Sequence, residues 1–217
     1  MRKHSGLNGV ITVAAGRYLD LRWQCVGVTR SVRPKLRIVL GRGARLHLAV
    51  RAVRSRDVSA EASVELRGTG AVAFVSAEFH GRGHDQHQFS VNIHHHAKRT
   101  KGDILVRGVY EGLSSGHFRG LLKIHPRAHE ANSYFADNVL LFDRGRATSI
   151  PTLEILANDV RASHGSTTSR INPEQLFYLR SRGLSRPQAA TNIISGFFHP
   201  VRTVRLADVP VTIHREL

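Results

Sequence analysis

Between Leu36 and about Ile155 the chain alternates apolar and polar residues with a period of two, and glycine interrupts that alternation again and again. Arg45-Leu46-His47-Leu48-Ala49-Val50 and Ser63-Val64-Glu65-Leu66-Arg67 show the habit. So do Ala71-Val72-Ala73-Phe74-Val75, Phe89-Ser90-Val91-Asn92-Ile93 and Asp103-Ile104-Leu105-Val106-Arg107. Successive side chains of a strand point to opposite faces, so this pattern predicts strands with one buried face. Gly41, Gly43, Gly68, Gly70, Gly81, Gly83, Gly102, Gly108, Gly112, Gly116 and Gly120 are read as corners. A helix would lose about 1 kcal/mol at each of them. Many short strands without crossover helices leave two architectures, a sandwich or barrel and a solenoid of stacked coils. Asn-Gly, a hairpin signal, occurs once, at Asn8-Gly9, and Asp-Gly never. The strand segments recur without a clean repeat length, so pattern alone leaves both architectures open.

The last quarter reads differently. Asn172-Pro173-Glu174-Gln175 supplies an N-cap, a proline at the first helical position and a capping-box glutamine. Gly183 is a natural stop, and Ser185-Arg186-Pro187-Gln188 repeats the box. Ala189, Ala190, Ile193, Ile194 and Phe197 follow at helical spacing, with Gly196 and Pro200 expected to end the helix. Val204-Arg205-Leu206 and Val211-Thr212-Ile213 read as a final strand or extended tail. Helices this short must dock to persist. The organisation expected is an extended or strand segment over 1–35, a β-core over 36–171, and a helical pair with tail over 172–217.

Composition narrows the function classes. Net charge is +16, with 32 basic and 16 acidic residues. That excess favours an anionic partner, but no nucleic-acid motif gathers the arginines, which are scattered over alternating strand positions. No apolar run reaches the roughly 20 residues that a membrane helix needs. Met1-Arg2-Lys3-His4 is not followed by an apolar stretch and a small-residue cleavage site, so a cytoplasmic protein is expected. Cys25 is the single cysteine, which excludes an internal disulfide framework; it reads as a buried thiol. No phosphate-binding glycine loop precedes a lysine and Ser/Thr, so ATP would have to be bound by a partner. No triad of nucleophile, base and acid is recognisable, Ser163 and His164 being merely adjacent.

Histidine offers the remaining chemistry. His94-His95-His96, with His80, His84 and His87 nearby, is the densest imidazole group. His94 and His96 share a strand face and are weak metal candidates; His84 and His87 are also spaced for a ligand pair. His125 and His129 are weaker. Among acids, Glu111, Glu130, Glu154 and Asp159 stand out, and Glu154 is expected to pair with an arginine of a neighbouring coil. Phe177, Tyr178, Phe197 and Phe198 concentrate aromatic mass in the helical pair. Whatever of it is left uncovered, ringed by Arg180, Arg182 and Arg186, has the composition of an interface hot spot.

One set of segments is Phe118-Arg119-Gly120-Leu121-Leu122-Lys123-Ile124, Leu140-Leu141 and Pro151-Thr152-Leu153-Glu154-Ile155. A second is Asn158-Asp159-Val160, Ser163-His164-Gly165-Ser166-Thr167, the run Glu174–Gly183, and Gly196-Phe197. Together these segments resemble the SufB/SufD family, scaffold components of the sulfur-mobilisation system for iron–sulfur cluster assembly. The resemblance covers the C-terminal half of the chain most fully. It implies a right-handed parallel β-helix with a C-terminal helical segment. It also implies an ABC-type ATPase docked on Glu174, Phe177, Tyr178, Arg180, Arg182, Ile194 and Phe197. A second SufB/SufD-like scaffold, or a second copy of the chain, would pair through the β-helix. His164 matches a histidine proposed to face the cluster site in the SufD-like branch. No intrinsic cofactor is implied, only a transient iron–sulfur cluster shared with a partner.

Departures from the family pattern refine the expectation. The step that reads Ala-Asp-Asp-Val in the family is Ala157-Asn158-Asp159-Val160 here, and Ala162 stands where a cysteine often precedes the Ser-His pair. Family members are longer and carry an N-terminal helical region without a counterpart here, so a form shortened at its N-terminus is expected. No cysteine lies within 36–171, which favours a SufD-like, non-enzymatic role over sulfur acceptance. The alternatives are a diverged short paralog that keeps ATPase docking without cluster assembly, and a basic nucleic-acid-binding β module.

Overall fold

The computed structural model describes residues 8–202, with side chains through 199. The chain winds as a flattened parallel β-helix of about six coils, each laying one strand in each of two facing sheets. The first coils use β1 (Asn8–Val13), β2 (Tyr18–Val26), β3 (Ser31–Val32), β4 (Lys35–Leu40) and β5 (Arg45–Val53). The middle is β6 (Asp57–Leu66), β7 (Val72–Gly81), β8 (Gln86–His95), β9 (Lys101–Tyr110) and β10 (Ser115–Ile124). β11 (Ala131–Leu141), β12 (Arg146–Ile155) and β13 (Val160–Arg170) complete it, followed by α1 (Pro173–Ser181) and α2 (Arg186–Arg202). One sheet runs β1-β4-β6-β8-β10-β12 with β3 beside β6, the other β13-β11-β9-β7-β5-β2, and every pairing is parallel. The solenoid is therefore the architecture, and Asn8-Gly9 lies in a strand rather than a hairpin turn. The segment ahead of residue 36 contributes β1 and β2 to these same sheets. The tail expected around 204–213 lies outside the described residues.

Alternation becomes a core because stacking places equivalent positions above one another. Ala60, Phe89 and Phe118 are in register, all buried, as are Val64, Ile93 and Leu122. Phe79 at 0 % exposure centres an aromatic group, with Phe118 at 5.2 Å and Phe89 at 5.4 Å between ring centroids. The coil repeat, invisible in the alternation, is close to regular: Asp57, Gln86, Ser115 and Arg146 lie side by side, in steps of 29, 29 and 31 residues. Small length differences are absorbed at the corners, where side-chain identity varies freely, and this hid the period.

Glycines fall into two groups. Gly43 and Gly70 sit at one corner with φ of 61° and 72°, the left-handed region that costs a side-chain-bearing residue most. Further along that corner the stack continues with Arg99 and Glu130, both at φ 57°. The second group corrects the expectation of corners: Gly81, Gly102, Gly108, Gly116 and Gly120 lie inside strands. There most of them clear space for aromatic rings, since a Cβ at Gly116 would overlap Tyr110 and one at Gly120 would overlap Phe135, while one at Gly102 would meet Ile93 and His95.

The helix caps form as read. The Asn172 side chain accepts from the Glu174 N–H at 2.8 Å, and Ser185 and Gln188 bond reciprocally at 2.8 and 3.4 Å. Gly183, at φ 90°, ends the first helix. The second does not stop at Gly196 or Pro200 but runs to Arg202. Phe198, fully buried, packs with Ile194 on Val109, Leu140 and Phe142, and this docking outweighs a glycine penalty of about 1 kcal/mol.

Candidate functional site

Three places carry the side chains singled out from the sequence. The first is the open end of the solenoid. His164 lies within β13, not in a turn, and is exposed. It pairs in register with Phe135 of β11, so its position belongs to the interior-facing row of the last coil. Beyond β13 no further described strand continues the sheet. Two positions along, Ser166 donates to the buried carboxylate of Asp137 at 3.1 Å, and the other Asp137 oxygen has no protein partner. On the companion sheet, Ile150 and Ile155 of β12 and neighbouring Leu156 are exposed. Glu154 is half-exposed and bonds Lys123 of the neighbouring coil at 2.6 Å, so the partner is a lysine rather than an arginine. Asp159 is exposed before β13, and its carbonyl accepts from the exposed Glu130's N–H at 2.7 Å.

The helical pair is the second place, and its two helices are not equivalent. α2 is anchored: Ala189, Ile194 and Phe198 are buried, and Arg107 of β9 donates to the Phe197 carbonyl at 2.6 Å. The same guanidinium lies 5.0 Å from the Phe197 ring centroid. Ile194, at 6 % exposure, is thus spent on the chain's own body, and Phe197 is half-buried. α1 buries no residue. Phe177 is 73 % exposed and Tyr178 56 %, with the Arg182 guanidinium 5.3 Å from the Tyr178 ring. Glu174 and Arg180 are exposed on the same helix.

The third place is on the outer wall. His94 and His96 alternate with His95, whose ring is buried and bonded to Thr100 at 2.8 Å; burial lowers the His95 pKa to about 4. His125, ranked low from the sequence, joins His94 and His96, one coil further on. Spacing along the chain did not reveal this, because the adjacency arises from the coil repeat. His84 and His87 do not converge: His84 is exposed in a turn, and His87 is buried and bonded to the Ser55 carbonyl at 2.8 Å. His80 bonds Glu111 at 2.6 Å, which also holds Arg82 at 2.8 Å. His129 is exposed and stands outside the group.

Cys25 corrects one expectation. It lies on β2 and so inside the β-helix body, which starts earlier than residue 36. Its sulfur is buried within 3.4 Å of Ser55 Oγ, and burial raises the thiol's pKa, so it is a core group without thiolate character.

Among the described residues, no helix is long and apolar enough to cross a membrane. Residues 24–197 match the family described as SUF system FeS cluster assembly, SufBD core domain. The iron–sulfur cluster assembly protein SufD of Bacillus subtilis is 33 % identical over 162 residues, 74 % of this chain and 37 % of that protein. A SufBD family protein of Synechocystis is 36 % identical over 104 residues, 48 % of this chain and 22 % of its own length. A chloroplastic SufBD family protein of Arabidopsis thaliana is 29 % identical over 140 residues, covering 64 % and 25 %. The chain thus spans well under half the length of these relatives. A parallel β-helix followed by two helices, the second docked on it, with a family match over most of the chain, places this protein in the SufBD family of iron–sulfur cluster assembly proteins.

Proposed function

We propose that the chain is a non-enzymatic, SufD-like scaffold subunit of a cytoplasmic complex in which an ABC-type ATPase drives iron–sulfur cluster assembly. The observation that carries this reading is the division of labour in the helical pair. α2 is fastened to β9 and β11 by Ile194 and Phe198, while α1 presents Phe177 and Tyr178 to solvent. Exposed aromatics beside arginines have the make-up of an interface hot spot, and a rigidly held α2 would transmit a displacement of α1 to the β-helix.

The partner scaffold, a SufB/SufD-like chain or a second copy, would add to the open last coil. Among the described residues no strand pairs with the outer edges of β12 and β13, beside exposed Ile150, Ile155 and Leu156. His164 on that coil would face the cluster, which is cargo rather than a resident group. A single imidazole cannot hold a cluster, so further ligands would come from the partner. Sulfur acceptance would also fall to the partner, because this chain's one thiol is buried.

Co-purification with the ABC-type ATPase from the same source tests the reading. A stable complex with the wild-type chain, lost in Phe177→Asp while the fold is retained, is the expected result. Equal recovery of both variants, or of neither, would overturn the docking assignment.

A further inference from the structure

Coil stacking assembles the histidine patch from residues 29 and 31 positions apart in the chain. His94 and His96 project outward at the end of β8, and His125 follows β10, its N–H donating to the His95 carbonyl at 3.0 Å. The His96 and His125 rings stack at 4.1 Å, and His94 lies 5.9 Å from His125 and 6.1 Å from His96. One ligand nitrogen from each of the three comes within 4.8 Å of the others. Two further observations point to a ligand. His125 Nε2 is buried without a hydrogen-bond partner. Glu65 of β6 accepts from His96 Nε2–H at 2.6 Å, and Arg37 holds Glu65 in turn at 3.3 Å. That bond fixes the His96 tautomer and leaves the Nδ1 lone pair free, the outer support that metal-binding histidines ordinarily have.

We propose that His94, His96 and His125 form a mononuclear site for a divalent transition metal of the Zn2+ or Co2+ type, with Glu65 orienting His96. Three imidazoles select such ions over Mg2+ and Ca2+, which take oxygen ligands. Water would fill a fourth position. Metal–nitrogen bonds of about 2.0–2.1 Å put tetrahedral ligand nitrogens about 3.3 Å apart, so the rings must close inward and give up the His96–His125 stack. The electrostatics permit it. Lys123, beside His94 in register, is engaged by Glu154 at 2.6 Å, so its charge is offset. The site is independent of the ATPase-coupled reading, since it uses neither α1 nor His164.

Titrating the full chain with Co2+ alone, read by the visible absorption of tetrahedral cobalt, with Zn2+ competition and far-UV circular dichroism, tests the site. The expected result is saturation at about one equivalent, displacement by Zn2+, and indifference to Mg2+. The double variant His94→Ala/His125→Ala should lose at least about 100-fold in affinity, and Glu65→Gln about 10–100-fold. The single variant His125→Gln, which keeps a polar side chain on the wall, should also lose the cobalt band if the double variant fails to fold. Absence of the band in the wild type, or an undiminished band in either histidine variant, would overturn the site.

Discussion

β11 and β13 are neighbours in one ladder, each 11 residues long, yet they are built to different ends. β11 buries Ala131, Ser133, Phe135, Asp137 and Val139 in strict alternation. β13, reading Val-Arg-Ala-Ser-His-Gly-Ser-Thr-Thr-Ser-Arg, buries none of its side chains and is held by backbone bonds to β11. α2 and α1 repeat the contrast, one anchored by Phe198 and the other without a buried residue. The middle coils are closed by neighbours on both sides, so their interior positions demand apolar residues of fitted size. At the C-terminal end no further described strand covers β12 or β13, and small and polar side chains stand exposed there.

Truncating a buried and an exposed aromatic residue tests the difference between interior and outer positions most severely. Phe79→Ala, in the closed middle, should destabilise the protein by about 3–5 kcal/mol in urea unfolding. Tyr134→Ala, on β11 but 46 % exposed, should cost under about 1 kcal/mol. Comparable losses at the two positions would break the comparison.

Acid should weaken the middle coils next. His95 is held neutral, its folded pKa of about 4 lying below the ordinary 6.5, and burial lowers His87 in the same direction. The unfolded chain therefore takes up the proton first. Stability is fully present above pH about 6.5 and falls as the pH drops towards 4, by about 3 kcal/mol for His95 alone. Thermal unfolding from pH 8 to pH 4 should show the decline, and His95→Gln should flatten it.

A methyl group sharpens the comparison further. Gly116→Ala would drive a Cβ into the buried Tyr110 ring and should cost about 1–3 kcal/mol. Gly165→Ala in β13 meets only the Tyr134 hydroxyl, the far end of a side chain that can turn away, and should cost under about 0.5 kcal/mol by the same urea assay. Equally small should be the effect of Phe177→Asp on stability, within about 0.5 kcal/mol, because Phe177 is 73 % exposed. A large loss in differential scanning calorimetry would mean that α1 supports the fold.

Much of the fold is legible in the sequence. Strand positions follow from alternation, and the helix starts at Pro173 and Arg186 follow from their caps, because both signals are local. The strand-interior glycines were misread as corners because the rings they clear, such as Tyr110 for Gly116, belong to other strands. Pro200 was misread as a stop because the docking that carries α2 past Gly196 is made with residues near position 140 and with Val109. His125 was undervalued for the same reason: its neighbours His94 and His96 are one coil away.

What the sequence determined by itself was the β class, the capped helical pair, the lone cysteine and the family resemblance, all written in patterns a few residues long. Only the tertiary structure decided which aromatics are spent inside and which remain outside, that Cys25 belongs to the β-helix body, and that His164 stands on the open last coil. It alone joined three histidines on the outer wall. The physical reason is the winding itself: each coil brings together residues about thirty positions apart, and no local pattern encodes which side chains meet across that step.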